Sequence, residues 1–174
     1  MFVLSPPHHH DLDLRFHTFI TYQRVFFHVM ELINIMNSCI FCAIIEGDIP
    51  SHSIYEDETT LAFLDINPIS VGHTLIIPKY HSSKINQLPI SFATSLMQTV
   101  HTLTRPIEEA VGANATTIAF NNGSEAGQEV PHVHCHIIPR FEQDGGKSVH
   151  SLVENPPSPP LNFSDIVMSI KNLI

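Results

Sequence analysis

The sequence has few of the features that secreted, membrane-spanning or nucleic-acid-binding proteins need. Only 14% of its 174 residues are charged, and acidic residues outnumber basic ones to give a formal net charge of −9. Broad binding to nucleic acid or anionic membranes requires basic surface, which this composition lacks. Three cysteines are too few, and odd in number, for a secreted disulfide scaffold. No apolar run is long enough to cross a bilayer. We therefore expect a cytoplasmic protein that binds neither nucleic acid nor a membrane.

Composition changes near Met36, which divides the chain into an N-terminal extension (residues 1–37) and a more regularly punctuated region. The extension contains two prolines followed by the run His8–His10, which we interpret as a solvated low-complexity tip rather than a weak metal site. A mitochondrial transit peptide is the alternative role for the extension. Its acidic residues argue against that role, because such peptides are usually poor in acids: Asp11, Asp13 and Glu31.

Apolar periodicity predicts an α+β fold with an antiparallel sheet of about five strands and one long helix. The predicted strands are Ser53–Tyr55, Leu61–Ile66, His73–Pro78, Thr116–Phe120 and Val133–Pro139. The helix has one apolar face, formed by Phe92, Leu96, Val100, Leu103, Ile107 and Val111. Pro106 predicts a kink rather than two helices, and Gly112 predicts the end. Strands before and after one helix favour an antiparallel sheet over alternating parallel units.

The predicted folded domain covers residues 38–145, and residues 146–174 form a C-terminal tail. The tail begins with a proline-rich stretch that is not core material. A short helix is predicted after it, with Asn162 or Ser164 as its cap.

The segment most informative about function is residues 131–140, PHVHCHIIPR, which contains the last predicted strand. Alternate side chains of a strand point to the same face, so three histidines should form one row: His132, His134 and His136. The residues between them should pack into the protein: Val133, Cys135 and Ile137. Imidazole near neutral pH can transfer protons, act as a nucleophile or bind a metal.

A glycine-bearing loop, residues 121–130, directly precedes the histidine row. Gly123 and Gly127 permit tight turns and close approach of a ligand. Asn121 and Gln128 supply amide donors. The loop is a weak phosphate-binding signal by itself, but its place before the histidines predicts an anion pocket beside a nucleophile.

The segment of residues 121–140, NNGSEAGQEVPHVHCHIIPR, resembles the signature of the histidine triad (HIT) family, in which three histidines alternate with apolar residues. The similarity extends back through CIFCAIIEGDIPS, IYEDETTLAFLDINP and GHTLIIPKYH, so it covers about residues 39–140. The opening CIFC is similar to the Hint-type and bacterial-type branch. The resemblance implies a HIT-like fold, a homodimer that joins its sheets, and a purine nucleotide substrate such as an AMP conjugate.

The resemblance also implies roles for the catalytic residues. His134 would be the nucleophile, the backbone carbonyl of His132 would orient its ring, and His136 would contact the phosphate and help to protonate the leaving group. Implied nucleotide contacts are Asn121, Gly127 and Gln128 at the phosphate, Asp65 at the ribose, and Phe41, Phe63 and Ile66 at the base. Glu129 departs from Hint-type relatives, which often have serine there. An acid near a phosphate costs binding unless it points away.

Cys39 and Cys42 form a C-x-x-C pair, which is typical of a redox centre or of half a zinc site. The sequence around it lacks the βαβ pattern expected of thioredoxin-like proteins. The resemblance implies a structural Zn²⁺ held by the pair together with His81 and His132. His73 and His52 are interpreted as ordinary strand or loop histidines.

The leading functional hypothesis is hydrolysis or transfer at the α-phosphate of a purine nucleotide, by way of a nucleotidyl-histidine intermediate. The substrates would be nucleoside phosphoramidates or aminoacyl adenylates. One alternative enzyme is a dinucleoside polyphosphate hydrolase. The alternative from another class is a zinc-stabilised nucleotide-binding or scaffold protein with little turnover.

Overall fold

The computed structural model of the protein describes residues 39–154 and 162–174. The N-terminal extension, with its histidine run and the transit-peptide alternative, lies outside these residues, as does most of the proline-rich stretch of the tail. The described chain forms two compact units, with the boundary between Phe141 and Glu142.

The first unit is built on an antiparallel sheet, which confirms the predicted α+β class. Within the described residues the sheet has five strands in the order β1-β2-β3-β5-β4. The strands are β1 (Ser53–Glu56), β2 (Thr60–Leu64), β3 (Thr74–Pro78), β4 (Ala115–Ala119) and β5 (Cys135–Arg140). Both edge strands, β1 and β4, carry exposed side chains, whereas all five residues of central β3 are buried.

Among the described residues of this unit, two α-helices accompany the sheet: α1 (Ile40–Ile45) and α2 (Ile90–Val111). Short 3₁₀ turns occupy Ile85–Gln87 and Ser124–Ala126. The long helix continues through Pro106 as a single element, as predicted. It ends at Gly112, whose φ of 72° is left-handed and whose N–H bonds to the Glu108 carbonyl. Glycine adopts that conformation without the steric cost that a Cβ adds.

The sheet has apolar residues on both faces, because β2, β3 and β5 alternate between two cores. One core contains α2 and residues such as Ala62, Ile76, Cys135 and Ile137. The other contains α1 and residues such as Phe41, Leu61, Phe63, Leu75 and Ile77. The intervening residues of the histidine segment, Val133, Cys135 and Ile137, belong to the α2 core, as expected. The histidines therefore face the α1 side of the sheet.

All five predicted strands differ from the observed ones by one or two residues at an end, and two of them differ by two residues. Strand β5 begins at Cys135, so His132 and His134 precede it rather than lie within it. The reason is that the Val133 N–H donates to the Ser82 carbonyl and the His132 N–H to the Val130 carbonyl. The backbone here is therefore paired with a loop instead of with β3. Strand β2 ends at Leu64, two residues before the predicted end.

The second unit contains a 3₁₀ turn, Val149–Ser151, and the helix α3 (Phe163–Lys171). The predicted short helix is confirmed, and Asn162 is the cap of the two candidates, since its side chain accepts from the Asp165 N–H. Asp165 in the first turn and Lys171 in the last complement the helix dipole. Among the described residues, no helix has the length and apolar character needed to span a bilayer.

Candidate active site and metal centre

The ring of His134 is held by the backbone two residues before it. Its Nδ1 lies 2.7 Å from the carbonyl oxygen of His132. Because a carbonyl can only accept, Nδ1 must carry a hydrogen, so in the neutral ring the lone pair lies on Nε2. The side chain is 7% exposed, and the ring of Phe41 packs edge-on against it at 5.3 Å between centroids. The result is an oriented, nearly dry imidazole whose Nε2 is a ready nucleophile.

The ring of His132 is fully buried and is also fixed in one tautomer. Its Nε2 donates to the Pro78 carbonyl at 2.8 Å, which leaves the lone pair on Nδ1. That Nδ1 lies 3.5 Å from Cys39 Sγ and 3.7 Å from Cys42 Sγ. Burial lowers the pKa of His132 to about 4, so the ring is neutral at physiological pH. A neutral imidazole whose other nitrogen donates to a carbonyl is the usual state of a histidine metal ligand.

His81 completes a Cys₂His₂ group with Cys39, Cys42 and His132. One ligand atom from each of the four lies within 4.8 Å of the other three. His81 Nδ1 is 3.3 Å from Cys42 Sγ, and both cysteines are free thiols. The start of α1 supplies the cysteines, the loop after β3 supplies His81, and the segment before β5 supplies His132. The structure thus brings together all four predicted metal ligands.

The chemistry of this group fits a divalent cation. Burial raises the pKa of the Cys42 thiol to about 12, and the neighbouring Cys39 adds to the effect. A bound cation supplies the positive charge that a buried thiolate lacks, so it would reverse this cost. Cys39 and His81 also line a cavity of about 470 Å³, which offers a route of entry. Two thiolates and two imidazoles form the donor set of a closed, tetrahedral, structural zinc site.

His136 belongs to a second group, which also contains His73 and Asp65. His136 Nδ1 lies 3.0 Å from His73 Nε2, and the two rings stack at 5.2 Å between centroids. On its other side, His73 Nδ1 lies 3.4 Å from Asp65 Oδ2. His73, which the sequence pattern assigns as an ordinary histidine, has a 4%-exposed ring that contacts both of these predicted site residues.

Strand register explains why these three residues meet. Phe63 pairs with Leu75 in the antiparallel ladder of β2 and β3, and the same register places Asp65 opposite His73. The Asp65 N–H donates to the His73 carbonyl at 2.9 Å, as this register requires. Leu75 pairs with His136 across β3 and β5, so His73, two residues earlier, is its diagonal neighbour on the same face. Once the antiparallel pairing of the strands is known, counting residues along the register places His73 beside Asp65 and His136.

The titration properties of this second group follow from burial. Burial lowers the pKa of His136 to about 4, and the neighbouring His134 and His73 lower it further. Burial also lowers the pKa of His73, although the carboxylate of Asp65 opposes that shift. Both rings are therefore neutral at physiological pH, and they share one hydrogen along the 3.0 Å contact.

The loop before the histidines is tied together by Gln128. Its Nε2 donates to the carbonyls of Ser83 at 2.8 Å and Val130 at 3.0 Å, and lies 3.4 Å from the His132 carbonyl. Its Oε1 accepts from the Gly123 N–H at 2.7 Å. The amide thus holds the loop and reaches the same carbonyl that orients His134. A phosphate contact, the role implied by resemblance, would require one of these bonds to be exchanged.

Asn121 and the two loop glycines have distinct places. Asn121 Nδ2 donates to the Gly127 carbonyl at 3.2 Å. Gly123 and Gly127 have φ of 113° and 80°, where side-chain-bearing residues are strained. A Cβ added at Gly127 would meet only the Asn121 amide, at 3.7 Å. The loop conformation therefore depends on glycine backbones, and Gly127 leaves open space beside Asn121.

The proposed base-pocket residues fall into two groups. Phe41 and Phe63 are buried and pack edge-on at 5.7 Å between ring centroids, and Phe41 also contacts the rings of His132 and His134. Ile66, by contrast, is 75% exposed on the loop after β2. The side chain of Glu129 is also exposed, so its carboxylate carries no burial cost in this position.

Sequence comparisons agree with this geometry. The profile of the HIT domain family matches residues 46–143. An uncharacterised HIT-like protein of Methanocaldococcus jannaschii is 49% identical over 137 residues, which cover 76% of this chain and 98% of that protein. An adenosine 5′-monophosphoramidase of Saccharomyces cerevisiae is 41% identical, over 63% of this chain and 66% of its own. An adenylylsulfatase of Arabidopsis thaliana is 41% identical, and this chain spans 58% of its length.

Two solved structures extend the comparison. A HIT family protein from Bacillus subtilis superimposes with a TM-score of 0.69 at 38% identity, over 79% of this chain and 97% of that one. A zinc-bound histidine triad family protein from Mycobacterium smegmatis superimposes with a TM-score of 0.60 at 40% identity, over 63% of this chain and 79% of its own. Sequence profile, relatives and superpositions agree with the oriented histidines: the chain belongs to the HIT family.

Proposed function

We propose that this protein is a nucleotide hydrolase that cleaves a bond to the α-phosphate of purine nucleotides through a nucleotidyl-histidine intermediate. The observation that carries the proposal is the 2.7 Å bond from His134 Nδ1 to the His132 carbonyl. It leaves Nε2 of His134 with a lone pair in a largely water-excluded site. Relatives named as an adenosine 5′-monophosphoramidase and an adenylylsulfatase support an AMP conjugate as the substrate.

The chemical step begins when His134 Nε2 attacks the α-phosphorus and forms a P–N bond. The bond from phosphorus to the leaving group breaks, and the leaving group takes a proton. Water then attacks the same phosphorus, breaks the P–N bond to His134, and yields the free nucleotide. We propose that His136, whose ring lies 4.9 Å from that of His134 between centroids, relays a proton from solvent to the leaving group and later accepts the proton that the attacking water releases.

The remaining residues would bind and orient the nucleotide. Asn121, Gly127 and Gln128 surround the proposed phosphate position, since the glycine leaves space beside the two amides. Asp65 would bond the ribose hydroxyls. Phe41 and Phe63 would support the base from the core, with Ile66 covering it from the loop.

The names of the two curated relatives favour a phosphoramidate or another adenylyl conjugate over a dinucleoside polyphosphate. The exposed Glu129 carboxylate supports the same choice, because it disfavours a leaving group that carries several negative charges. A scaffold protein without turnover does not require an oriented histidine nucleophile, so the orientation of His134 favours an enzyme. Turnover of an adenosine phosphoramidate, compared with that of a diadenosine polyphosphate, separates the three functions.

We predict that His134→Ala lowers kcat for adenosine phosphoramidate by several orders of magnitude, because the attacking nitrogen is lost. AMP should still bind with nearly unchanged affinity, since the other contacts remain. Steady-state kinetics and calorimetric titration with AMP measure the two quantities. His101→Ala, at an exposed position of α2, is the matched control and should leave both unchanged. Turnover by the His134→Ala variant within about tenfold of the parent would refute the assignment.

We also propose that Cys39, Cys42, His81 and His132 hold a structural Zn²⁺. All four positions of a tetrahedral ion would be filled by protein, so the ion would take no part in catalysis. Its proposed effect is to fix the segment that contains His132, and with it the carbonyl that orients His134. The zinc-bound mycobacterial relative supports the identity of the metal.

We predict about one zinc ion per chain in protein purified without added metal, because such sites bind zinc with large favourable free energies. Cys42→Ala should abolish zinc retention and lower the thermal stability. Cys135→Ala is the control, since Cys135 is a free, buried thiol of the α2 core that lies outside the group, and this variant should keep its zinc. Elemental analysis measures the metal content. A fully folded protein without zinc would contradict the site.

We propose further that the protein is a homodimer, with β4 joining the sheets. Among the described residues this strand is an edge of the sheet, and it carries the 45%-exposed Ile118. A cytoplasmic location is consistent with the three described cysteines, which are free thiols. The proposed domain comprises residues 38–145, flanked by the extension 1–37 and the tail 146–174.

Removal of the extension tests these boundaries. Every proposed site residue lies at Cys39 or later, so a chain that begins at Met36 should keep kcat and KM within about twofold and remain dimeric. Kinetics and analytical ultracentrifugation provide the measurements. If the short form is dimeric and inactive, the extension belongs to the active site. If it aggregates, the extension covers apolar surface.

A further inference from the structure

The group formed by Asp65, His73 and His136 has the composition of a metal site as well as of a hydrogen-bonded network. Each residue offers one ligand atom, and these atoms lie within 4.8 Å of one another. Two ligand atoms of a tetrahedral ion are separated by about 3.4 Å, given bonds of about 2.1 Å. Shifts of about an ångström would therefore bring all three atoms to one centre.

The two imidazoles already have suitable geometry. His136 Nδ1 and His73 Nε2 are 3.0 Å apart, whereas two nitrogens of a tetrahedral zinc ion are separated by about 3.3 Å. An ion at their shared edge would replace the hydrogen that now joins them. The carboxylate of Asp65 lies 3.4 Å from the other ring nitrogen of His73, Nδ1, so it must shift toward the shared edge to contact the ion and supply the negative charge that a buried cation requires.

We propose that Asp65, His73 and His136 form a second, open metal site that binds a divalent transition-metal ion. Two imidazoles and one carboxylate favour ions such as Zn²⁺ or Co²⁺ over Mg²⁺, which prefers oxygen ligands. Three protein ligands leave at least one position for water or a phosphate oxygen. The site differs in this respect from the Cys₂His₂ group, whose four protein ligands would close it.

Occupancy of this site should inhibit the enzyme. The ring of His136 packs edge-on against that of His134, at 4.9 Å between centroids, so an ion there would lie beside the attacked phosphorus and withdraw His136 from proton transfer. Asp65 would at the same time be withdrawn from the nucleotide. The inhibition rests on the proposed function, whereas binding of the ion depends only on the geometry of the three side chains.

The test is a titration of zinc-loaded protein with Co²⁺, followed by equilibrium dialysis and visible absorption. We expect one additional Co²⁺ per chain, without the intense near-ultraviolet thiolate bands that exchange into the cysteine site would produce. His73→Gln should weaken this binding by more than about tenfold, and Asp65→Asn provides a second variant. His101→Gln removes an exposed histidine from α2 and should bind the added Co²⁺ like the parent.

Failure of the parent to bind the additional Co²⁺, or equal affinity in the parent and both site variants, would overturn the proposal. Retention of the first zinc by each variant shows that the variant is folded. Turnover of adenosine phosphoramidate, measured before Co²⁺ is added, reports on the proposed function separately. Co²⁺ binding without any turnover would refute the proposed function and leave the metal site standing.

Discussion

The structure depends most on His132, whose ring and backbone carbonyl hold different parts of the protein. The ring donates to the Pro78 carbonyl and directs its lone pair toward two thiols. The carbonyl accepts from His134 and so decides which nitrogen of that ring can react. Leaving a buried polar group unpaired costs about 1–3 kcal/mol, so neither bond can be broken without a penalty. A metal bound to the His132 ring and the His134 ring bonded to the His132 carbonyl would therefore be coupled through this one residue.

The sheet supplies the second constraint, through alternation and register. Alternation sends Val133, Cys135 and Ile137 into the α2 core and leaves the histidines on the α1 side. Register across β2, β3 and β5 then brings Asp65 and His73 to His136. The Cys₂His₂ group, His134 and the pair of His73 and His136 consequently lie along one side of the sheet. Their rings form a series of contacts in which Phe41 connects His132 with His134.

Much of this arrangement could be predicted from local pattern. Strand periodicity was enough to predict the row of alternating histidines, and the family resemblance was enough to predict the four residues of the Cys₂His₂ group. Three features needed the tertiary structure. The start of β5 depends on the Ser82 carbonyl, which is remote in sequence; the role of His73 depends on strand pairing; and the bonds of Gln128 depend on the path of the loop. None of these leaves a periodic signal, because each is a contact between distant segments.

We propose that His132, when it binds a metal, sets the reactive tautomer of His134. The nitrogen-15 NMR shifts of His134 in zinc-loaded protein at neutral pH test this link most directly. We expect a protonated Nδ1 and an unprotonated Nε2, with the two tautomers becoming mixed after Cys42→Ala removes the metal site. A protonated Nε2 in the zinc-loaded protein, or an unchanged tautomer in the variant, would show that the metal site does not control His134.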